Sequence, residues 1–203
     1  MVTLILGGSR SGKSMLAQVL AIRLSAIREG KLFYFATMVP VDEEDEKRVA
    51  RHRLERDGWG FEAVEEGYDI ASKAPGFAKG DIVLFDSVTS YVMNILFSDN
   101  DVVNRIRSDD IPKEIKALSD AAGDLIIVSD YIFSDAERYS PEIERYRSIL
   151  GKAHLSIASF SDAVIECTYA NVKIHKNTLG TDFAPVLEEF NRLAEESSFR
   201  MDA

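Results

Sequence analysis

Residues 7–14 constrain the fold more than any other part of this sequence. They read Gly-Gly-Ser-Arg-Ser-Gly-Lys-Ser and match the phosphate-loop pattern G-x-x-x-x-G-K-S/T completely. The loop follows a short apolar run at 2–6 and precedes residues 15–27, whose apolar side chains recur at helical spacing. Phosphate loops lie between a buried strand and a helix, so the sequence predicts a strand, an anion-binding turn and a helix in that order.

Each residue type in this loop has a chemical reason. Glycines let the backbone curl so that successive N–H groups point at phosphate oxygens, and the N-terminus of the helix adds its dipole. Lys13 is expected to reach the β- and γ-phosphates, and the Ser14 hydroxyl is expected to ligate Mg²⁺. A glycine-rich turn without a ligand is the disfavoured alternative. The predicted nucleotide-binding residues here are Gly7, Gly8, Ser9, Arg10, Ser11, Gly12, Lys13 and Ser14.

Strand-like and helix-like segments alternate along the rest of the chain. Apolar runs predict strands at 32–36, 82–85, 125–128, 163–168 and 172–174, and helices are predicted at 42–57, 87–97, 111–121 and 141–160. This alternation indicates an α/β fold of the phosphate-loop NTPase type, an open and mainly parallel sheet with helices on both faces. Only the loops at 66–80 and 98–110 are candidates for disorder.

The chain of 203 residues fits one domain with an extension. We predict a nucleotide-binding domain at 1–176 and a helical appendage at 177–203, where the strand–helix alternation stops and residues 183–194 show helical spacing.

Composition excludes several classes of protein. Asp and Glu outnumber Lys and Arg by 34 to 24, and a net charge of −10 disfavours a nucleic-acid partner. No apolar run is long enough for a membrane span or a signal peptide. The one cysteine, Cys167, cannot form an internal disulfide. We therefore expect a cytoplasmic protein with no membrane anchor.

Asp86 follows the apolar run 82–85, at the sheet edge where open α/β folds bind ligands. It is a candidate Walker-B-type carboxylate that holds Mg²⁺ through water. The alternative is that Asp86 caps the helix at 87–97, although Ser87 could take that role instead.

The predicted helix at 42–57 carries a histidine between arginines. Arg48, His52 and Arg56 are spaced i, i+4 and i+8 and share one helix face. Spacing alone favours a solvated face with i,i+4 ion pairs. The second interpretation is that the arginines hold a polyphosphate while neutral His52 attacks its α-phosphorus.

Together these landmarks resemble the bifunctional adenosylcobinamide kinase / adenosylcobinamide-phosphate guanylyltransferase family of cobalamin biosynthesis. The family's Gly-Gly-x-Arg-Ser-Gly-Lys-Ser is similar to 7–14, and its Tyr-x-Ala-Thr is similar to 34–37. The family's charged helix is matched by Asp42, Glu44, Arg48, Val49, His52 and Arg56, and two further stretches resemble 61–65 and 84–94. The resemblance runs from residue 1 to 176 and favours the nucleophilic interpretation of His52.

The resemblance implies a transferase with ATP and GTP as substrates, Mg²⁺ as cofactor and a corrinoid as second substrate. His52 would carry GMP as a phosphoramidate. The residues implied around the guanine nucleotide and metal are Thr37, Arg48, Arg53, Arg56, Glu65 and Asp86. Members of the family assemble as homo-oligomers, often trimers, in which a neighbouring subunit helps to complete the site.

The chain departs from the family pattern in two places. Asp130-Tyr131-Ile132-Phe133 stands where the family has Asn-Glu-Val-Gly, and His154 stands where an asparagine is expected. Two alternatives therefore stay open: a plain phosphate-loop kinase or NTPase without a covalent histidine, and a non-catalytic nucleotide-binding relative.

Overall fold

A computed structural model of the chain describes residues 1–98, 108–169 and 171–201. Within these residues the strands are β1 (Val2–Gly7), β2 (Leu32–Ala36), β3 (Glu62–Glu65), β4 (Ile82–Asp86), β5 (Asp124–Asp130), β6 (Ala163–Thr168) and β7 (Asn171–Asn177). The α-helices are α1 (Lys13–Arg28), α2 (Glu43–Glu55), α3 (Val88–Phe97), α4 (Ile111–Ala121), α5 (Pro141–Phe160) and α6 (Ala184–Met201). Short 3₁₀ helices lie at Ile70–Gly76 and Ser108–Asp110.

The strands form one sheet in the order β3-β2-β4-β5-β1-β6-β7. Every neighbouring pair is parallel except β6 and β7, which are antiparallel. The predicted open, mainly parallel α/β sheet is therefore confirmed. Strand β1 lies between β5 and β6. The phosphate loop therefore follows a central strand of the sheet and not an outer one.

Successive side chains of a strand point to opposite faces of the sheet, and both faces here are covered. Along β4, Val83 and Phe85 join the core under α3, α4 and α5, whereas Ile82 and Leu84 join the core under α1 and α6. All four side chains have no solvent exposure. The prediction of helices on both faces is confirmed, and it explains why the strand sequences are continuous apolar runs.

Two segments differ from the sequence prediction. Strand β3 was not predicted, because its residues Glu62–Glu65 pair along the exposed edge of the sheet and carry one half-buried apolar side chain, Val64. The region 66–80, a candidate for disorder, contains the 3₁₀ helix Ile70–Gly76, which the fully buried Ile70 anchors. Of the other candidate, 98–110, residues 99–107 lie outside the described residues.

Helix α6 packs against α1. Phe183, Val186 and Phe190 are buried in the same core as Leu16 and Leu20 of α1. The boundary between 176 and 177 stays a prediction, although this packing joins the C-terminal helix to the core. None of the helices in the described parts of the chain is long and apolar enough to cross a membrane.

Candidate active site

The phosphate loop connects β1 to α1 at the carboxyl edge of the sheet. Gly12 starts α1 with a left-handed φ of 92°, which suits glycine, and no side chain caps the first N–H groups of the helix. Those N–H groups are the ones that bind anions at a helix N-terminus. Glycine is also required at position 7, where a Cβ would stand 2.4 Å from the carbonyl oxygen of Cys167.

The loop rests on two buried side chains from the C-terminal part of the chain. Cys167 of β6 donates its thiol hydrogen to the carbonyl oxygen of Ser11 at 3.0 Å. The ring of Phe190 in α6 lies 3.1 Å from the point where a Cβ on Gly12 would stand. Both side chains are fully buried, so the backbone of the loop packs against the core through them.

Lys13 turns back over the loop towards β5. Its Nζ lies 2.7 Å from Oδ1 of Asp130 and donates to the carbonyl oxygen of Gly8 at 3.2 Å. Asp130 is the last residue of β5 and stands in register with Gly7, the last residue of β1. The lysine expected to hold phosphate is therefore paired with a carboxylate.

Asp86 ends β4 and belongs to a second polar group. The Tyr34 hydroxyl donates to Asp86 Oδ2 at 2.6 Å, and the Arg56 guanidinium stacks on the Tyr34 ring at 3.5 Å from its centroid. Burial, together with the Asp86 charge, raises the pKa of Tyr34 well above its ordinary value. Tyr34 therefore stays protonated and keeps donating to Asp86.

The helix that follows Asp86 has its own cap. Ser87 is the N-cap of α3 and accepts from the Ser90 N–H at 3.2 Å. The alternative that Asp86 caps this helix is therefore wrong.

A cavity of about 830 Å³ joins the phosphate loop to α2. The predicted site residues that line it are Ser9, Arg10, Ser11, Gly12, Lys13, Ser14, Arg53, Arg56, Glu65 and Asp86. Among the described lining residues, five are cationic (Arg10, Lys13, Arg51, Arg53 and Arg56) and three are acidic (Glu65, Asp86 and Asp130). A local cationic surplus in a chain of net charge −10 suits a polyphosphate ligand.

Some predicted residues are placed differently. Thr37 is fully buried, and its hydroxyl donates to the carbonyl oxygen of Ser87 and accepts from the Ser87 N–H, both at 2.8 Å. Thr37 thus ties β2 to the end of β4 from outside the cavity lining. Gly7 and Gly8 also lie outside the lining and shape the loop behind it. Arg48 and His52 lie in α2, but their side chains are outside the described part of the structure.

Arg53 and Glu65 form an ion pair between α2 and β3. The pair fastens the arginine-rich helix to the edge of the sheet at the wall of the cavity.

The lining residues that were not predicted as site residues include three that can form charged or polar contacts with a ligand: Tyr34, Arg51 and Asp130. Asp130 offered a usable signal, because it lies two residues beyond the predicted strand at 125–128, much as Asp86 follows the predicted strand at 82–85. Acidic residues at the carboxyl ends of neighbouring parallel strands meet at the same sheet edge.

His154, the second departure from the family pattern, is a core residue. It is 7% exposed, and its Nε2 lies 2.7 Å from Ser129 Oγ. Burial lowers the pKa of His154 to about 4, against a smaller opposing effect of the Asp130 charge. His154 is thus neutral at neutral pH and packs beside β5. Its hydrogen-bond partner there, Ser129, directly precedes Asp130 in the strand.

Comparison with known proteins relates the chain to enzymes. A family model described as cobinamide kinase / cobinamide phosphate guanyltransferase matches residues 3–171. The bifunctional adenosylcobalamin biosynthesis protein CobP from Pseudomonas aeruginosa is 31% identical over 164 residues, which are 79% of this chain and 89% of that protein. The matched residues 3–171 include the phosphate loop, α2 and all the described lining of the cavity.

Two solved structures are similar in outline. They are the flagellar accessory protein FlaH from Methanocaldococcus jannaschii, with a TM-score of 0.49, and a KaiC-like protein from Pyrococcus horikoshii OT3, with a TM-score of 0.40. Each is 15% identical to this chain, and each match covers 88% of this chain and 79% of the chain in the solved structure.

Proposed function

The chain belongs to the cobinamide kinase / cobinamide phosphate guanyltransferase family of transferases, and from this premise we propose that it carries out both reactions. It phosphorylates adenosylcobinamide, and it transfers GMP from GTP to adenosylcobinamide phosphate in cobalamin biosynthesis. The observation that carries the proposal is one cavity lined by Lys13 and Ser14 of the phosphate loop, by Arg51 and Arg53 of α2, and by Arg56, the C-cap residue of that helix.

In the first reaction the phosphate loop holds ATP or GTP. The N–H groups at the start of α1 and the Lys13 ammonium bind the phosphates and stabilise the charge that develops on the transferred group. The acceptor is the hydroxyl group of adenosylcobinamide. Phosphoryl transfer depends mainly on positioning and charge stabilisation, which are the properties that this loop provides.

In the second reaction His52 is the proposed nucleophile. A neutral ring nitrogen attacks the α-phosphorus of GTP, an N–P bond forms, and the bond from that phosphorus to the α–β bridging oxygen breaks as pyrophosphate leaves. A phosphate oxygen of adenosylcobinamide phosphate then attacks the same phosphorus and releases the imidazole. Arg51 and Arg53 of the helix that bears His52 and its C-cap residue Arg56 line the cavity, and we propose that they neutralise the phosphates.

Ser14 and Asp86 are the proposed ligands of Mg²⁺, Asp86 acting through water. Mg²⁺ prefers oxygen ligands and is commonly bound by one or two protein groups together with substrate phosphates. A hydroxyl and a carboxylate lining the same cavity fit that pattern, and the Tyr34 hydroxyl holds the Asp86 carboxylate through a hydrogen bond to Oδ2. When bound, Mg²⁺ would neutralise charge on the β- and γ-phosphate oxygens.

We also propose that the protein works as a homo-oligomer, with a trimer as the specific expectation. None of the α2 residues whose burial is described is fully buried, and Leu54 in α2 is 75% exposed. This helix therefore has an exposed side on which a neighbouring subunit can pack. Sedimentation velocity at several protein concentrations measures the assembly state directly.

Mass spectrometry after incubation with GTP and Mg²⁺ tests the covalent step. The expected result is an acid-labile addition of one GMP group on the peptide that contains His52. His52→Ala should lose this label and guanylyl transfer but keep phosphorylation of adenosylcobinamide, because phosphoryl transfer needs no nucleotide–histidine intermediate. Lys13→Ala should lose both activities.

The matched control is His175→Ala, which removes an exposed histidine that pairs with Glu166 on the β6–β7 hairpin. This variant should label like the wild type. If His52→Ala still takes up GMP, the covalent mechanism is wrong and the plain kinase becomes the better account. If the wild-type protein performs neither transfer, the non-catalytic alternative replaces the proposed function.

A further inference from the structure

Tyr34 contacts two parts of the site through different atoms of one side chain. It belongs to β2, lines the cavity and is only 3% exposed. Its hydroxyl donates to Asp86 Oδ2 at 2.6 Å, and the central carbon of the Arg56 guanidinium lies 3.5 Å from the centroid of its ring. The hydroxyl thus contacts the carboxylate that ends β4, and the ring contacts the C-cap residue of α2.

The fold determines where the Tyr34 hydroxyl lies. In the pairing of β2 with β4, Tyr34 stands beside Leu84 and Ala36 stands beside Asp86. Side chains two residues apart on a strand share a face, so Tyr34 and Asp86 are diagonal neighbours on the same face of the sheet. The ring of Phe61 packs edge-on against the Tyr34 ring, with the two centroids 5.8 Å apart. A ring packed in this way has little freedom to turn, so its hydroxyl keeps one position.

The Asp86 carboxylate depends on this hydroxyl for its orientation. Two cations of the described cavity lining have other carboxylate partners, since Lys13 pairs with Asp130 and Arg53 pairs with Glu65. The backbone carbonyl of Asp86 accepts from the Thr37 N–H at 3.0 Å, but that bond fixes the main chain and leaves the side-chain torsions free. The hydrogen bond from Tyr34 restricts those torsions.

We propose that Tyr34 is a positioning residue that orients the Asp86 carboxylate towards Mg²⁺, an inference that rests on the proposed metal role of Asp86. Carboxylates at metal sites are commonly held by hydrogen bonds from residues that do not touch the metal, and loss of such a partner costs 10–100-fold in metal affinity or activity. The competing interpretation is that Asp86 only satisfies a buried hydroxyl. The two interpretations differ in what removal of the hydroxyl does to metal binding.

Tyr34→Phe removes the donor and keeps the ring, so the contacts with Arg56 and Phe61 can remain. We expect the dissociation constant of Mn²⁺ from the protein–ATP complex to rise by about 10-fold. Mn²⁺ is the probe because it favours the same oxygen ligands as Mg²⁺, and the electron paramagnetic resonance signal of the free ion measures the unbound fraction. Protein is kept in excess over ATP. The affinity for ATP in EDTA should equal that of the wild type.

A double-mutant cycle tests whether Tyr34 acts through Asp86. Asp86→Asn alone should also weaken Mn²⁺ binding, and adding Tyr34→Phe to it should cause no further loss, because the group that the hydroxyl orients is no longer a carboxylate. Rising Mg²⁺ concentration should restore kcat for phosphorylation of adenosylcobinamide in Tyr34→Phe, which keeps the carboxylate. It should not restore kcat in Asp86→Asn.

Tyr91→Phe is the matched control. Tyr91 is fully buried, its hydroxyl donates to the Glu114 carboxylate, and it is not among the described residues that line the cavity. This variant loses the same kind of hydrogen bond at a distance from the proposed metal. It should unfold at a lower temperature than the wild type and bind Mn²⁺ with wild-type affinity.

Weaker Mn²⁺ binding by Tyr34→Phe that disappears in the Asp86→Asn background supports the proposal. Wild-type Mn²⁺ affinity in Tyr34→Phe, combined with weaker binding by Asp86→Asn, overturns the positioning role and leaves Asp86 as the metal carboxylate. An equal loss from Tyr34→Phe in both backgrounds, or a similar loss in Tyr91→Phe, also overturns it. Wild-type affinity in Asp86→Asn removes Asp86 from the proposed metal site and this inference with it.

Discussion

At the scale of single residues, one tyrosine organises the metal side of the site. Tyr34 donates to Asp86, and the Arg56 guanidinium stacks on the Tyr34 ring. The contact links β2, β4 and the end of α2 through one side chain. Because the pKa of Tyr34 is raised by burial and by Asp86, the hydroxyl remains a donor across the physiological pH range.

Asp86→Asn is expected to lower Mg²⁺-dependent turnover by about 10²-fold while nucleotide affinity changes much less. The reason is that a metal carboxylate acts mainly on charge that develops in the transition state. Steady-state kcat at varied Mg²⁺ concentration, together with calorimetric nucleotide titrations, measures the two effects separately.

Ser140→Ala is the control for a merely structural effect, since Ser140 caps α5 and is not among the described residues that line the cavity. It should reduce the free energy of unfolding by about 1 kcal/mol and retain turnover. Unchanged turnover in Asp86→Asn would remove Asp86 from the metal site.

The sequence could predict the site residues that belong to a local pattern and could not predict those that meet through topology. Lys13 and Ser14 follow from an eight-residue motif. Asp130 is far from Lys13 in sequence, and their contact exists only because β5 pairs with β1. Thr37 shows the opposite limit, because the family resemblance implies a position beside the nucleotide, whereas the structure engages the Thr37 hydroxyl with the Ser87 backbone.

At the scale of elements, helix α6 supports the phosphate loop through the ring of Phe190. Phe190 is fully buried and touches the position where a Gly12 side chain would begin. Helical spacing predicts this helix from the sequence. Its packing partner could not be predicted, because the apolar side of one helix does not specify which other surface it covers.

Phe190→Ala is expected to reduce the free energy of unfolding by about 3–5 kcal/mol, the usual range for a buried phenylalanine. Nucleotide affinity should also fall, because the loop loses support beneath Gly12. Urea denaturation and calorimetric titration with ATP measure the two quantities.

The control for Phe190→Ala is Leu155→Ala, which truncates an apolar side chain of another helix, α5, that is 76% exposed. Its stability should stay within about 0.5 kcal/mol of the wild type. An equally stable Phe190→Ala variant would mean that α6 contributes nothing to the fold of the loop.

Strand β3 gives a complementary lesson about elements. It pairs with β2 along the sheet edge, yet three of its four residues are exposed and two are glutamates. A strand without an apolar face leaves no period-2 signal in the sequence, so its existence depends on the neighbour that it pairs with. The five strands that contain buried residues, β1, β2, β4, β5 and β6, were all predicted from their apolar runs.

At the scale of the whole molecule, the buried His154 couples stability to pH. Its pKa in the folded protein is lowered to about 4, against an ordinary value of about 6.5. Between these values the unfolded chain binds more protons than the folded chain, so stability rises with pH in this window and is lost as pH falls from about 6.5 towards 4. Above pH 6.5 this histidine is neutral in both states and makes no difference.

We expect this effect of His154 to lower the free energy of unfolding by about 3 kcal/mol near pH 4, relative to neutral pH, since each pKa unit corresponds to about 1.4 kcal/mol. Urea denaturation at a series of pH values should give a steeper acid loss of stability for the wild type than for His154→Asn, whose amide does not titrate. Equal slopes for the two proteins would show that His154 is protonated in the folded state or contributes nothing.

The place of β1 between β5 and β6 also sets the order of events on the ribosome. Val2 pairs with Leu125 and Thr3 pairs with Ala163, so β1 completes its hydrogen bonds only after the ribosome has made β5 and β6. At about 5–20 residues per second this interval lasts roughly 8–30 s. The nascent chain thus carries its phosphate motif early but gains a nucleotide site late, when translation has reached β6, and exposed apolar strands must be kept from aggregating until then.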